Sequence, residues 1–166
     1  MGIQSQELNH IRLVTGEVNP MTGENLPVSG TIPLPELGTG QFKTSGTDVI
    51  GASSAFLSDF MTRDKQAWLY AASLGEIRRI RNIISDAKMI IEWGFSADIS
   101  SNEDVYMVFS KYKNVVTKNT HATENALVQE VTLKPGETDI QSDFNFGVAP
   151  ISYKAQSAEL TFHISE

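Results

Sequence analysis

The sequence predicts an all-β protein, and three observations predict it. From Gly38-Thr39-Gly40 through Gly46, Gly51, Gly75 and Gly94, glycines recur at short intervals, the punctuation of short strands joined by tight turns. Beyond Asp98, apolar runs alternate with turn signals at Asn119-Thr120, Pro135-Gly136 and Gly147-Val148-Ala149-Pro150, a spacing that suits an antiparallel sandwich or barrel. Ahead of both, residues 1–37 hold no sustained period and carry Pro20, Pro27, Pro33 and Pro35, four of the six prolines. Each proline fixes φ and removes an N–H, so this leader reads as an extended N-terminal arm. Three segments follow: the arm at 1–37, a glycine-punctuated module at 38–100 and a second β-rich region at 101–166.

Composition bounds the rest. A chain of 166 residues, 40% of them hydrophobic, can bury a modest core, and 20% charged residues argue against global disorder. A formal net charge of −7 speaks against a dedicated nucleic-acid binder, which needs clustered cations to neutralise phosphates. Arg78, Arg79 and Arg81 form the one dense basic cluster. With no cysteine the chain has neither a disulfide framework nor a thiolate metal site. Its first residues lack the basic region and apolar run of a secretory signal, and no stretch reaches the length of a membrane span. A soluble protein made in the cytoplasm, with no membrane partner, is expected.

In the arm, Ile11, Leu13 and Val14 suit one strand, and Leu26, Val28, Ile32, Leu34 and Leu37 give more apolar side chains than a solvated tail requires. An arm that orders against a neighbour is expected. From Gly38 to Phe56, residues Phe42, Val49, Ile50 and Phe56 predict two strands joined at Ser45-Gly46. Ser58 to Lys65 reads as a short helical or irregular connection, and Trp68-Leu69-Tyr70 opens the next strand. Leu74 to Ile91 supports two readings. Leu74, Ile77, Ile80, Ile84 and Ile91 trace an amphipathic helical stripe. The isoleucine density, the Ser85-Asp86 pair and the flanking Gly75 and Gly94 suit two strands instead, Glu76 to Ile84 and Lys88 to Trp93. Ser100 to Asp104 is a polar linker. Further strands are expected at Val105 to Phe109, Lys113 to Lys118, Ala126 to Leu133, Asp139 to Phe144 and Glu159 to Ile164. In the last of these, Leu160, Phe162 and Ile164 bury one face and His163 points outward.

Sites of chemistry are scarce. His10, His121 and His163 share no metal-ligand spacing. Nucleophile elbows, Walker loops and cysteine nucleophiles are lacking, so no enzyme activity and no cofactor are expected. Asp98, Glu103 and Asp104 lack the spacing of a calcium loop and read as a solvated linker. Trp68, Tyr70, Trp93 and Tyr106 would offer stacking faces to a carbohydrate if exposed, which gives a host-attachment or glycan-binding module as the alternative function.

The order Gly-Thr-Gly, Thr44-Ser45-Gly46-Thr47 with Val49 and Gly51, Phe56, Gly75-Glu76-Ile77-Arg78-Arg79-Ile80, Ser85-Asp86 and Phe95-Ser96-Ala97-Asp98 resembles a small β-barrel module of tailed-bacteriophage virion proteins. It departs from that pattern at Gly51-Ala52-Ser53-Ser54-Ala55-Phe56 and after Ser85-Asp86. Val115 to Asn119, Leu133-Lys134-Pro135-Gly136-Glu137-Thr138, and Ile151 to Ala155 before Leu160 to Ile164 are similar to a β-sandwich of virion decoration and tail-associated proteins. The resemblance implies strands for Leu74 to Ile91, a small β-barrel at 38–100 and a C-terminal antiparallel β-sandwich at 101–166. It also implies a structural role in the virion, as a capsid auxiliary or decoration protein or a head–tail or tail-ring component. Its partners would be capsid, portal or tail subunits and further copies of itself. Ile11, Leu13, Leu26 and Leu34 of the arm, with Arg78, Arg79 and Arg81, are the expected partner-binding residues.

Overall fold

The computed structural model describes residues 10–17, 26–61, 67–110, 112–143, 148–155 and 158–165, with the side chains of His10 and Ile11 outside that description. The fold is all-β and divides into two compact units, one of residues 31–110 and one of residues 1–30 with 111–166.

The 31–110 unit is a closed barrel of six antiparallel strands. These are β3 (Glu36–Ser45), β4 (Asp48–Ala52), β5 (Ala67–Ala71), β6 (Glu76–Ser85), β7 (Lys88–Ile91) and β8 (Glu103–Phe109), in the order β3-β4-β7-β6-β5-β8 with β8 returning to β3. Alternation fills the interior: Phe42, Val49, Leu69, Ala71, Met89, Ile91, Val105, Met107 and Phe109 form one buried cluster. A single helical turn and a half, α1 (Phe56–Met61), adds Phe56 and Phe60, four residues apart and 6.2 Å between ring centroids, to the same core.

The strand reading of the isoleucine-rich middle holds, and the structure explains why its pattern was ambiguous. β6 carries two register irregularities against β7, between Ile80 and Asn82 and between Ile83 and Ser85. Each bulge slips the inside–outside parity by one residue. A period of 2 therefore never accumulates, and the isoleucines fall by chance on helical spacing. The boundary expected at Ser100 falls inside the barrel unit instead. Glu103–Phe109 is the strand that closes the barrel, so the polar run Ser100 to Asp104 is a loop that leads into that strand and not a linker between domains.

The rest of the chain forms two four-stranded antiparallel sheets, which belong to the second unit except where β2 runs across the boundary between residues 30 and 31. One runs β1 (His10–Val14), β14 (Leu160–Ser165), β9 (Asn114–Asn119), β12 (Thr138–Ser142); the other runs β11 (Val131–Leu133), β10 (Ala126–Val128), β13 (Ile151–Lys154), β2 (Ser29–Ile32). Leu160, Phe162 and Ile164 are buried while His163 is exposed, as the alternation predicts. Tyr153 of one sheet meets Phe162 of the other at 4.9 Å between ring centroids, and its hydroxyl donates to the Pro27 carbonyl at 2.7 Å. Asn119, fully buried, donates through Nδ2 to the carbonyls of Glu124 (2.8 Å) and Leu133 (2.9 Å) and accepts the His121 N–H (3.0 Å).

Ala126 to Leu133, expected as one strand, is a hairpin turning at Gln129 and Glu130, both at positive φ (52° and 65°). Turns of that kind normally carry Asn or Gly, so the residues gave no sign of it. Phe144, the expected end of β12, lies outside the described residues.

Candidate functional site

The motif residues of the barrel converge on one knot. The turn between β6 and β7 reaches across to the entry of α1: the Asp86 carbonyl accepts the Phe56 N–H at 3.3 Å and the Ser54 hydroxyl at 2.5 Å, while its carboxylate accepts the Leu57 N–H at 3.0 Å. Gly51 donates its N–H to the Ala87 carbonyl at 2.8 Å. A Cβ at Gly51 would run into Ser54 Oγ and the Phe56 ring, which explains the glycine by close approach. Gly51, Phe56 and Asp86, separated in sequence, thus form a single closure.

A second clasp holds the segment after β7. The Glu76 carboxylate, buried, accepts from Arg78 at 3.2 Å and from the Ser96 N–H at 3.0 Å. Arg78 also donates Nε to the Gly94 carbonyl at 3.0 Å and stands 5.2 Å from the Phe95 ring centroid. Next to it, Asp98 accepts the Gly46 N–H at 2.8 Å, and the Thr44 hydroxyl accepts the buried Ile99 N–H at 2.8 Å. The Gly-Glu-Ile-Arg and Phe-Ser-Ala-Asp stretches are therefore two halves of one contact.

The seven residues expected to bind a partner are divided between the units, Ile11, Leu13 and Leu26 in one and Leu34, Arg78, Arg79 and Arg81 in the other. Leu13 and Leu26 are buried within their own unit, and β1 pairs along its whole length with β14, Leu13 opposite Phe162 and Ile11 opposite Ile164. Leu26 is fixed as well, its N–H donating to Glu17 and its carbonyl accepting from Gly16. Through β1 and β2 the described leader is built into the sheets and is not a free arm; it buries Leu13, Val14, Leu26 and Ile32 at home, while Val28 and Leu37 stay exposed. Leu34 is half-buried in the barrel unit. Arg78 is committed to the clasp, Arg79 makes a half-buried 3.5 Å ion pair with Glu92, and Arg81 is exposed.

The aromatic residues separate in the same way. Trp68 and Tyr70 are buried on the barrel with Val108, flanked by Ile77 and Tyr106, while Trp93 is 64% exposed. Among the described residues no three His, Asp or Glu side chains are grouped to hold a metal. Sequence reasoning passed over the exposed apolar side chains on sheet edges, Val131 on β11 and Ile140 on β12. Ile140 is the one apolar residue of a polar strand and gives no periodic signal, while Val131 shares its strand with the buried Leu133, so only the sheet order reveals the two as edge residues.

Comparison with protein-family models, curated proteins and solved structures finds no match.

Proposed function

We propose that this chain is a structural component of a tailed-phage particle, acting by binding neighbouring subunits as a capsid auxiliary protein or a head–tail or tail-ring part. The observation that carries the reading is the closure at Gly51, Phe56 and Asp86. Positions that bear the resemblance to the virion barrel module meet in space and share one structural task, although the motif is altered around each of them. In this reading the two four-stranded sheets of the second unit form the β-sandwich of the resemblance. Of the four candidate stacking rings Trp68 and Tyr70 are buried, Tyr106 is half-buried and Trp93 alone is exposed, which supports an assembly role over a glycan platform built from several exposed rings.

With Leu13 and Leu26 buried at home, partner contact passes from the leader to groups that remain at the surface, among them Arg79 and Arg81. Many weak contacts of this kind gain strength through effective concentration in a symmetric particle. The test is compositional. Particles purified by density gradient from a culture carrying the gene should contain the chain in fixed ratio to a major capsid or tail subunit. Its absence from intact particles would refute the reading.

A further inference from the structure

Four strands end the two sheets of the second unit, and three of them are protected. β11 has only three residues, β2 lies between Pro27 and Pro33, and β1 carries the exposed Arg12. Short length, proline and charge are the usual devices against edge pairing. β12 differs. It is five residues long, Thr138-Asp139-Ile140-Gln141-Ser142, with no lysine or proline; its one charge, Asp139, is half-buried and not on the exposed face of Ile140, and its register against β9 is unbroken from Thr138 opposite Lys118 to Ser142 opposite Asn114. Ile140 at its centre is 66% exposed, and among the described residues no strand pairs with its outer side.

The hydrogen bonds flanking β12 fix which backbone groups face outward. The Asn119 N–H donates to the Glu137 carbonyl at 3.1 Å, and the Asp143 N–H donates to the Lys113 carbonyl at 2.9 Å. In an antiparallel ladder alternate residues bond the same neighbour. Residues 137, 139, 141 and 143 thus turn their peptide groups to β9, and Thr138, Ile140 and Ser142 turn theirs to the open edge.

We propose that this edge is an interaction surface whose partner is β12 of a second copy, paired antiparallel about a two-fold axis through Ile140. The strand is complementary to itself in that arrangement. Ile140 meets Ile140 of the other copy in a hydrogen-bonded pair, and Thr138 meets Ser142 in the same kind of pair, each exchanging both backbone bonds. Asp139, the single charge in the strand, falls opposite Gln141, a carboxylate facing an amide, so no like charges meet. Within one copy the Gln141 amide already approaches the Asp139 carboxylate at 3.4 Å. The inference deepens the assembly reading by naming a surface and a partner, yet it does not depend on the phage setting. Pairing along one short edge buries far less than the roughly 1,200 Å² of a stable complex, so the association is weak and gains its effect where copies are held close together.

Sedimentation velocity of the full chain up to about 1 mM tests this, with Ile140→Lys and Ile140→Glu as variants. The wild-type chain should dimerise with rising concentration, and each variant should associate roughly tenfold more weakly because residue 140 faces itself across the axis. An equimolar mixture of the two variants should recover the loss at low salt. A wild-type chain that stays monomeric throughout overturns the proposal, as does a mixture that associates no better than its components. Ile140→Pro adds an independent arm: an outward N–H can be given up on an edge strand, so this variant should stay folded and lose the dimer. A folded proline variant that still dimerises also overturns it. None of these outcomes bears on whether the chain is found in particles.

Discussion

The carboxylate of Asp86 accepts the backbone N–H of Leu57, 29 residues upstream, at 3.0 Å. Helix α1 therefore receives its N-terminal cap from a hairpin turn and not from its own leading residues. A carboxylate at that position satisfies an orphan donor and meets the positive end of the peptide dipoles. Asp86→Ala should lower the unfolding free energy by about 1 kcal/mol, with Asp86→Asn losing less because the amide oxygen still accepts. Urea denaturation compares the two. Equal losses for both variants would show that the charge and the acceptor do not act as described.

Gly40 and Gly46 both have positive φ, +72° and +57°, but only one is crowded. A Cβ at Gly40 would collide with the backbone of Ala52 and Ser53, within the register shift of β3 against β8, whereas Gly46 has open space around it. Gly46→Ala should cost about 1 kcal/mol, the ordinary strain of a left-handed alanine. Gly40→Ala should cost about 3 kcal/mol or more, since backbone atoms must move as well. Thermal unfolding of the pair checks this; similar melting temperatures would contradict the assigned crowding.

Arg78 is the counter-charge of a buried carboxylate, so removing it alone should be worse than removing both. Arg78→Met leaves Glu76 without its 3.2 Å partner and should cost about 3 kcal/mol. Adding Glu76→Gln to that background should restore part of the loss, giving a coupling of about 1 kcal/mol or more in a double-mutant cycle. The loss should be concentrated in the 94–96 segment, where Gly94 and Ser96 are held by the same two side chains. Faster amide exchange at Ser96 in the Arg78 variant reads this out, and unchanged exchange would disprove the clasp.

The sequence made the all-β class legible because its turns carry their own chemistry. The Gly46 hairpin and the buried alternation of Leu160, Phe162 and Ile164 were readable for that reason. What stayed hidden depends on contacts between distant residues. The bulges of β6 erased a period of 2, the turn at Gln129 and Glu130 uses residues without turn preference, and the closure by Glu103–Phe109 follows a polar run that looks like a linker. The expected partner-binding residues meet a related limit. Apolar side chains such as Leu13 and Leu26 indicate burial, but sequence cannot say whether the surface that buries them belongs to the same chain.

Tyr70 makes the barrel sensitive to alkali. Its phenol is held above the ordinary tyrosine value of 10.0, first by burial, then by the negative charge of Glu103 and by Tyr106, whose ring stands 6.3 Å away across the β5–β8 ladder. All three oppose the tyrosinate. Below about pH 10 the phenol is protonated in both the folded and unfolded chain, and its contribution is fully present. Above that value the unfolded chain gives up the proton first, so stability falls as pH rises until the folded phenol ionises too. The wild-type urea midpoint should therefore drop more steeply above about pH 10 than that of Tyr70→Phe, which has no proton to lose. Tyrosinate absorbance should show one fewer late-titrating phenol in the variant. Parallel decline of the two midpoints would mean that alkaline loss arises elsewhere and that Tyr70 is not the group that couples the barrel to pH.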